Sequence, residues 1–477
     1  MDAVIHDALV GSLGKIVGAE NVLPKPEARV RYANDQYWYA IAAAGAGQPI
    51  SLPDAAVKPN TPEDVARIVQ LANEMNVPIT PWGGGSGVQG AANADRGGIV
   101  LDLRGLNRIR HIDEKSLTCV VEAGMICRDF EEELNKRGLS FTHFPASTEW
   151  ATIGGAIAAR GSGVLSSKYG KIEDHVLNLE FVTPTGDLVH TPAVPRHAIG
   201  PELTQLLVGA EGTLGIITAA TVKLRALPKK RVFGAVSFAT LADGIEAGRR
   251  IMVSGLRPAV VRYYDADAAS HSLSRAVDAT LNDPTLVLMF DGEYPELVDL
   301  EAKIALDLCK EHNGTILAPS IAEVWWDRRY VFYYPPYAPE LPSIWGTVDV
   351  VADFEHIEAV YHATTQAIRA VVPESWNLSL NTHFSHWYEW GSMIYARMKI
   401  PTGPDDLVEA KELHDLIFRA GVEAALGAGG VMNDHHGVGL RLAPYMGAQY
   451  GTGMEVLSRI KYALDPSNIL CPGKLGF

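Results

Sequence analysis

The chain reads as a mixed helix-and-strand protein of two or three domains, and three observations carry this. The first is the order of local signals around Pro81-Trp82-Gly83-Gly84-Gly85-Ser86-Gly87, a glycine-dense loop with a helix before it and a strand after it. The second is a recurrence of small-residue segments, each feeding a β-branched run. The third is size: 477 residues exceed what one hydrophobic core organises.

Taken in chain order, Val4, Ile5, Leu9, Leu13, Ile16 and Val17 recur at helical spacing, while Asp2 and Asp7 stand where a secretory leader would be basic. An amphipathic helix docked on the body is expected. Thr61 is an N-cap, Pro62 suits the first helical turn, and Glu63 and Asp64 complement its positive end, so a helix opens there. After the glycine loop comes Gly98-Ile99-Val100-Leu101-Asp102-Leu103, a strand. A Rossmann fingerprint needs strand, glycine turn, then helix, and that order fails. Glycines lacking Cβ instead let successive backbone N–H groups converge on an anion such as a cofactor pyrophosphate.

Further along, Pro145-Ala146-Ser147-Thr148 leads into Ile153-Gly154-Gly155-Ala156 and Arg160-Gly161-Ser162-Gly163, then Lys168-Tyr169-Gly170-Lys171. Gly209-Ala210-Glu211-Gly212-Thr213 is a tight turn before Ile216-Ile217-Thr218, and Pro472-Gly473-Lys474 closes the chain after Leu464-Asp465-Pro466. In this order and spacing the segments resemble the FAD-binding oxidoreductases of the vanillyl-alcohol oxidase and p-cresol methylhydroxylase superfamily over nearly the whole length. The resemblance implies an α+β fold: a two-subdomain FAD-binding domain of the p-cresol methylhydroxylase type, plus a cap domain with an antiparallel sheet and flanking helices. It also implies that Pro81, Trp82, Gly83, Gly84, Gly85, Ser86 and Gly87 hold the pyrophosphate end. Pro145, Ser147, Thr148, Gly154, Gly155, Ser162, Gly163, Glu211, Gly212 and Ile217 would line the rest of the cofactor. The loop has no histidine to attach the ring, so FAD is expected to be non-covalent.

On this reading residues 1–46 form an N-terminal helical segment, 47–227 the FAD domain, 228–430 the cap, and 431–477 a stretch returning to the FAD domain. Proline clusters at Pro192 and Pro195, and at Pro335, Pro336, Pro339 and Pro342, mark loops within the body.

The redox power would come from flavin, and the cap would place substrate and handle protons. Met393-Ile394-Tyr395-Ala396-Arg397-Met398 alternates, so Met393, Tyr395 and Arg397 share one strand face. In Asn433-Asp434-His435-His436-Gly437, neighbouring histidines on an extended chain point apart, so they are not expected to share a metal; one imidazole could act as base. The glycolate oxidase and D-lactate dehydrogenase branch carries His-Gly-Asp-Gly-Asn-x-His and Glu-His-Gly. This chain has His386-Trp387-Tyr388-Glu389-Trp390-Gly391 and His435-His436-Gly437 instead, which resembles the alkyl-dihydroxyacetonephosphate synthase branch. That likeness carries Tyr388, His435 and His436 over as catalytic; the missing glutamate argues against a metal, and no set of three ligands is expected. Arginines that could orient substrate are Arg262, which matches the synthase pattern, Arg328 or Arg329, and Arg397. Rings at Trp325, Trp326, Tyr330, Phe332, Tyr333, Tyr334, Tyr337 and Trp345 make either cap core or an aromatic-lined tunnel.

Composition sets limits. Apolar residues make up 47% and charged residues 20%, as in a soluble globular chain. A formal charge of −15 argues against nucleic acid as a partner; an anionic small molecule could still be held by a local arginine. No apolar run of about eighteen residues is present, so no membrane span is expected. Cys119, Cys127, Cys309 and Cys471 are scattered without Cys-x-x-Cys, which fits a cytoplasmic chain without an iron–sulfur or zinc-ribbon site. The expected function is an FAD-dependent oxidoreductase that takes a hydride from an alcohol or 2-hydroxy-acid carbon. The alternative is synthase-like exchange of acyl for alkoxy without net redox change. A homodimer is expected, and the electron acceptor is oxygen, a quinone or a carrier protein.

Overall fold

The computed structural model describes residues 3–25, 29–330 and 340–477. Phe332, Tyr333, Tyr334 and Tyr337, with Pro335, Pro336 and Pro339, lie outside the described residues. Three sheets and a short ribbon organise the chain. The first sheet takes Val22–Leu23 (β1), Ala55–Val57 (β2), Ile79–Trp82 (β3) and Ile99–Asp102 (β4) in the order β1-β2-β4-β3. Strands β2, β4 and β3 run parallel, and the helix Pro62–Met75 supplies the crossover from β2 to β3 that parallel pairing requires. That helix begins as its sequence dictates: Thr61 and Asp64 form a reciprocal capping box with Pro62 in the first turn.

The second sheet is antiparallel, in the order β5-β6-β10-β8-β9, from Ile109–Asp113 (β5), Thr118–Glu122 (β6), Val176–Val182 (β8), Leu188–His190 (β9) and Ile216–Lys223 (β10). Leu139–Ser140 (β7) and Arg225–Ala226 (β11) form the ribbon. Each sheet backs its own apolar cluster, one around Ile68, Ile79 and Ile99, the other around Phe130, Ile157 and Val222. The N-terminal helix Ala3–Val17 docks Leu9, Leu13 and Val17 into the first of these and leaves Val4 and Ile5 exposed.

The cap is an eight-stranded antiparallel sheet in the order β15-β12-β14-β13-β17-β18-β16-β19. Its strands are Lys230–Ser237 (β12), Val260–Tyr264 (β13), Thr285–Gly292 (β14), Thr315–Ile316 (β15), Ile344–Asp353 (β16), Ser379–Trp387 (β17), Gly391–Ile400 (β18) and Val431–Met432 (β19). Helices Leu241–Val253, Pro295–Glu311, Ile357–Val371 and Leu407–Gly427 bury its outer face in the largest cluster. After β19 the chain returns to the first sheet, where Ile79 N donates to Ile469 O at 2.7 Å. The fully buried Lys461 ammonium fixes this return by donating to Thr213 O at 3.0 Å and Leu470 O at 2.8 Å, beside the Asp465 carboxylate. The four cysteines are buried and unpaired, and no helix of the described residues is long and apolar enough to cross a membrane.

His414 sits in the cap core with no exposed surface, stacked on Trp38 at 4.7 Å and 17°. Burial pushes its imidazole down to about 4. A folded value below the unfolded one means that the stabilisation is present above about pH 6.5 and is lost as pH falls toward 4, roughly 3 kcal/mol across that window. Thermal melting should therefore drop steeply on acidification below 6.5, and His414→Phe should flatten the slope. Equal slopes for parent and variant would exclude this account.

Candidate active site

Between the FAD domain and the inner face of the cap sheet lies a cavity of about 610 Å³. One half of its wall is glycine and alanine: Gly83 to Gly87, Ala158, Ala159, Gly161 and Gly163 line it, with Pro81, Pro145, Ser147, Gly154, Gly155, Ser162, Glu211, Gly212 and Ile217. Here side chains would collide with the protein's own neighbouring backbone, so the wall can approach closely only as glycine. A Cβ on Gly84 would sit 1.7 Å from the Trp150 carbonyl oxygen, one on Gly163 2.6 Å from Phe144 N, and Gly85 has φ +65°. A narrow cradle without a lysine or arginine fits a pyrophosphate held on backbone N–H groups. Two of the expected contacts stand back from it. Trp82 is buried under the loop, edge-on to Tyr32, and its ring meets the Cβ position of Gly85; Thr148 is buried, its carbonyl accepting from Arg128 N. His143 also lines the wall, and burial holds it well below the ordinary histidine range, so it is neutral.

The other half of the wall is one face of the cap sheet. Tyr264 pairs with His383, His383 with Tyr395, and Tyr395 with Asp349 across β13, β17, β18 and β16. Period-two alternation sets Asn381 and Ser385 beside His383, Met393, Arg397 and Lys399 beside Tyr395, and Trp345 and Thr347 beside Asp349, and all of these flanking residues line the cavity. A bulge in β17 between Ser385 and Trp387 places His386 at φ +53°, turning its ring to the same side.

Behind this face two carboxylates organise the histidines. Asn433, at φ +67°, opens a turn in which its side chain accepts from His436 N at 3.0 Å and donates to Gly437 O at 2.8 Å. The turn is joined to β16 because Asp434 N donates to Asp349 Oδ2 at 2.9 Å. His436 Nδ1 lies 2.8 Å from Asp349 Oδ1. His386 Nδ1 and His435 Nδ1 meet Asp434 Oδ2 at 2.8 and 3.0 Å, and the Tyr388 hydroxyl donates to Asp434 Oδ1 at 2.7 Å. Burial alone would raise both carboxyls. His436 beside Asp349, and the Lys171 ammonium 3.7 Å from Asp434 with the His386 hydrogen bond, outweigh it and hold both well below the carboxylate range. Ionised acceptors fix each of the three imidazoles as an Nδ1–H donor, which leaves every Nε2 a lone pair. Burial, then the neighbouring His436, pushes His435 down to about 4. His383 differs: Arg262 donates to its Nε2 at 2.6 Å, and burial with that charge keeps it well below the usual range.

Three expectations need correction. Adjacent His435 and His436 do not point apart; their rings lie 4.0 Å centroid to centroid because the segment is a turn rather than an extended strand. Sets of three potential ligands do assemble, Asp349 with His435 and His436, and His386 with Asp434 and His435, each with ligand atoms within 4.8 Å. The carboxylates of both sets escaped the motif reading, Asp349 because it lies 85 residues from its partner. Tyr388 does not line the cavity: burial, then Asp434, raises its phenol well above the ordinary value, and its ring stacks on Trp390 at 5.0 Å. The phenols on the cavity are Tyr264 and Tyr395, the latter stacked on His383 at 4.6 Å. Of the other candidates, Arg262, Arg329, Arg397, Trp325 and Trp345 line the cavity, Trp326 packs under Arg329 at 3.8 Å, and Arg328 is spent on Asp278 at 2.6 Å.

A glycine cradle facing a histidine-bearing cap defines a flavin-dependent oxidoreductase architecture, and the comparisons agree. The chain belongs to the FAD-linked oxidases: residues 53–192 match the FAD binding domain, and residues 227–475 the FAD linked oxidases C-terminal domain. Alkyldihydroxyacetonephosphate synthase of Trypanosoma brucei brucei is 28% identical over 99% of this chain and 81% of its own. Mitochondrial D-lactate dehydrogenase [cytochrome] of Arabidopsis thaliana is 28% identical over 93% of this chain and 76% of its own, and glycolate oxidase subunit GlcD of Bacillus subtilis 27% over 89% of each. A solved alkyldihydroxyacetonephosphate synthase shares the fold at TM-score 0.80 and 24% identity, covering 98% of this chain and 84% of its own. A substrate-bound p-cresol methylhydroxylase does so at 0.79 and 20%, covering 100% and 98%.

Proposed function

We propose that this protein oxidises a CH–OH group, with His436 as the proton acceptor and FAD held without a covalent bond. The observation that carries this is the His436–Asp349 pair at 2.8 Å on the cavity wall: the ionised carboxylate takes Nδ1–H and leaves Nε2 as a base toward the cavity. Bound FAD would supply the hydride acceptor, while His436 Nε2 takes the hydroxyl proton as the C=O bond forms. Asp349 then stabilises the imidazolium that results. Tyr395 lies beside both histidines, 5.7 Å from His436 and 6.1 Å from His435 between ring centroids, and fixes the alcohol oxygen. Asp434 and Tyr388 hold His386 and His435 in place rather than touch substrate. Lys171, not a divalent ion, supplies the positive charge beside Asp434, whose oxygens already accept from Tyr388, Ser162, His386 and His435.

Anaerobic mixing with a panel of 2-hydroxy acids and alcohols should bleach the yellow flavin, at the same rate with and without chelator. The second reading, acyl-for-alkoxy exchange, is favoured only by the likeness to alkyldihydroxyacetonephosphate synthases. Acyl-dihydroxyacetone phosphate plus a fatty alcohol tests it. Exchange of the chains with no bleaching by any alcohol would overturn the oxidation reading, and chelator inactivation would overturn the role of Lys171.

A further inference from the structure

The second sheet carries an appendage that takes no part in the cavity. The chain leaves β9 at Thr191 and is tied again at Thr204: the two buried hydroxyls lie 2.8 Å apart, and Leu179 N donates to Thr191 Oγ1 at 2.9 Å. Residues 192–203 between them are an Ω-loop, closed at its base, and none of them lines the cavity. Three prolines, Pro192, Pro195 and Pro201, restrict it, and Arg196 sits at φ +59°, a left-handed conformation that is unfavourable for any residue with a side chain. From this restrained loop Val194, Ile199 and Leu203 project with 72%, 71% and 46% of their surface exposed. Scattered apolar residues on a surface are ordinary; three large aliphatics within ten residues of one stiffened loop call for an apolar contact.

Cations flank the apolar tip. Arg196 is exposed between Val194 and Ile199, Lys223 ends β10 and Arg225 begins β11. The three share one field: burial first, then Arg225, with Arg196 in the same sense and Asp174 opposed, hold the Lys223 ammonium below its ordinary value. Among the described residues none of the three is ion-paired. Lys223 donates to the Asp174 carbonyl, Arg225 to Leu224 O at 3.1 Å, and Arg196 to nothing. The acids that flank the loop in the chain are engaged, Glu202 accepting from Thr204 N at 3.0 Å and Asp187 from Thr185 Oγ1 at 2.7 Å. In a chain of net charge −15 this face inverts the overall sign, and it does so beside apolar side chains. Anionic headgroups over acyl chains present the matching order, whereas an acidic protein surface matches the charge alone.

We propose that this loop docks the protein on an anionic lipid bilayer, with Val194, Ile199 and Leu203 entering the headgroup layer and Arg196, Lys223 and Arg225 meeting the lipid anions. The protein then lies on the membrane and does not span it, and the proposal stands apart from the oxidation reading above. FAD-loaded protein is sedimented at about 0.1 M salt with vesicles of phosphatidylcholine, alone or with about three tenths phosphatidylserine. The serine-containing vesicles should bind about ten-fold tighter or more, and high salt should remove that difference. Val194→Ser combined with Ile199→Ser should weaken this binding about ten-fold, and Arg196→Gln about five-fold, the scale of one cation near the surface. Leu300→Ser, exposed on the cap helix Pro295–Glu311, is the control and should change nothing. All four side chains are exposed, so the variants should keep the parent melting temperature and the yellow colour. Because the four native cysteines are buried, Ile199→Cys takes a thiol-reactive nitrobenzoxadiazole dye selectively, and its emission should brighten and shift to the blue on the anionic vesicles. Equal binding to both vesicle types, binding to neither, or a dye that reports water throughout would overturn the proposal. So would vesicle binding that both loop variants leave unaltered. Retention on immobilised polyglutamate that Arg196→Gln abolishes, without vesicle binding, would assign the face to an acidic protein and overturn the bilayer equally.

Discussion

Valine at position 84 should give a folded but colourless protein. The Cβ position of Gly84 lies 1.7 Å from the Trp150 carbonyl oxygen and 2.5 Å from its carbon, so the obstruction is backbone and no rotamer relieves it. The loop must swing out of the cradle, and overlap of that depth goes beyond ordinary overpacking, which implies a loss in FAD affinity of roughly 100-fold or more. Gly45→Ala is the control: nothing lies within 4 Å of its Cβ and it is not part of the cavity wall, so FAD should be retained. Cofactor content is read from the visible spectrum, fold from far-ultraviolet circular dichroism. Acid precipitation of the parent should release yellow flavin to the supernatant. A Gly84→Val protein with full flavin content would remove the loop from the binding site.

His436→Ala should keep its flavin and slow flavin reduction by about two to four powers of ten, the scale of general base catalysis. Asp349→Asn should fall in the same range, because an amide cannot hold the imidazolium and can reverse the Nδ1–H tautomer. The double variant should be little worse than either single one, since the two residues act as a unit. Tyr388→Phe should stay within about ten-fold of the parent, because its hydroxyl reaches Asp434 and not the cavity. Stopped-flow reduction under anaerobic conditions reads all four. Parent-like reduction in His436→Ala would transfer the proton to another acceptor on the same wall, with His435 at 4.0 Å and Tyr395 at 5.7 Å between ring centroids the first candidates.

Much of the cofactor side was legible because its signals are local. Gly83 to Gly87 come after a capped helix and precede a strand, and the structure keeps that order as Pro62–Met75, β3 and β4. The alternation of Met393, Tyr395 and Arg397 was legible too, since a pleat has period two wherever it occurs. The hidden part is set by register and by turns. Nothing near Asp349 marks it as a partner of His436; only the pairing of β16 with β19, and a turn opened by Asn433, bring them together. Tyr388 and Tyr395 look alike in sequence, and a single bulge at His386 shifts the facing of the residues beyond it at the end of β17.

The Glu211 carboxylate accepts from Val438 N and from Gly439 N, the latter at 2.8 Å, while it also forms part of the cofactor wall. A Cβ on Gly437 would strike it at 2.1 Å. The histidine turn is thus riveted on one side to a cap strand through Asp349 and on the other to the FAD domain through Glu211. Sliding of one domain over the other cannot leave His436 where it was: the cavity-wall arginines travel with the cap, the cradle stays with its own sheet, and His436 is tied to both. For the base proposed above, domain alignment therefore sets the register of its ring against the cradle.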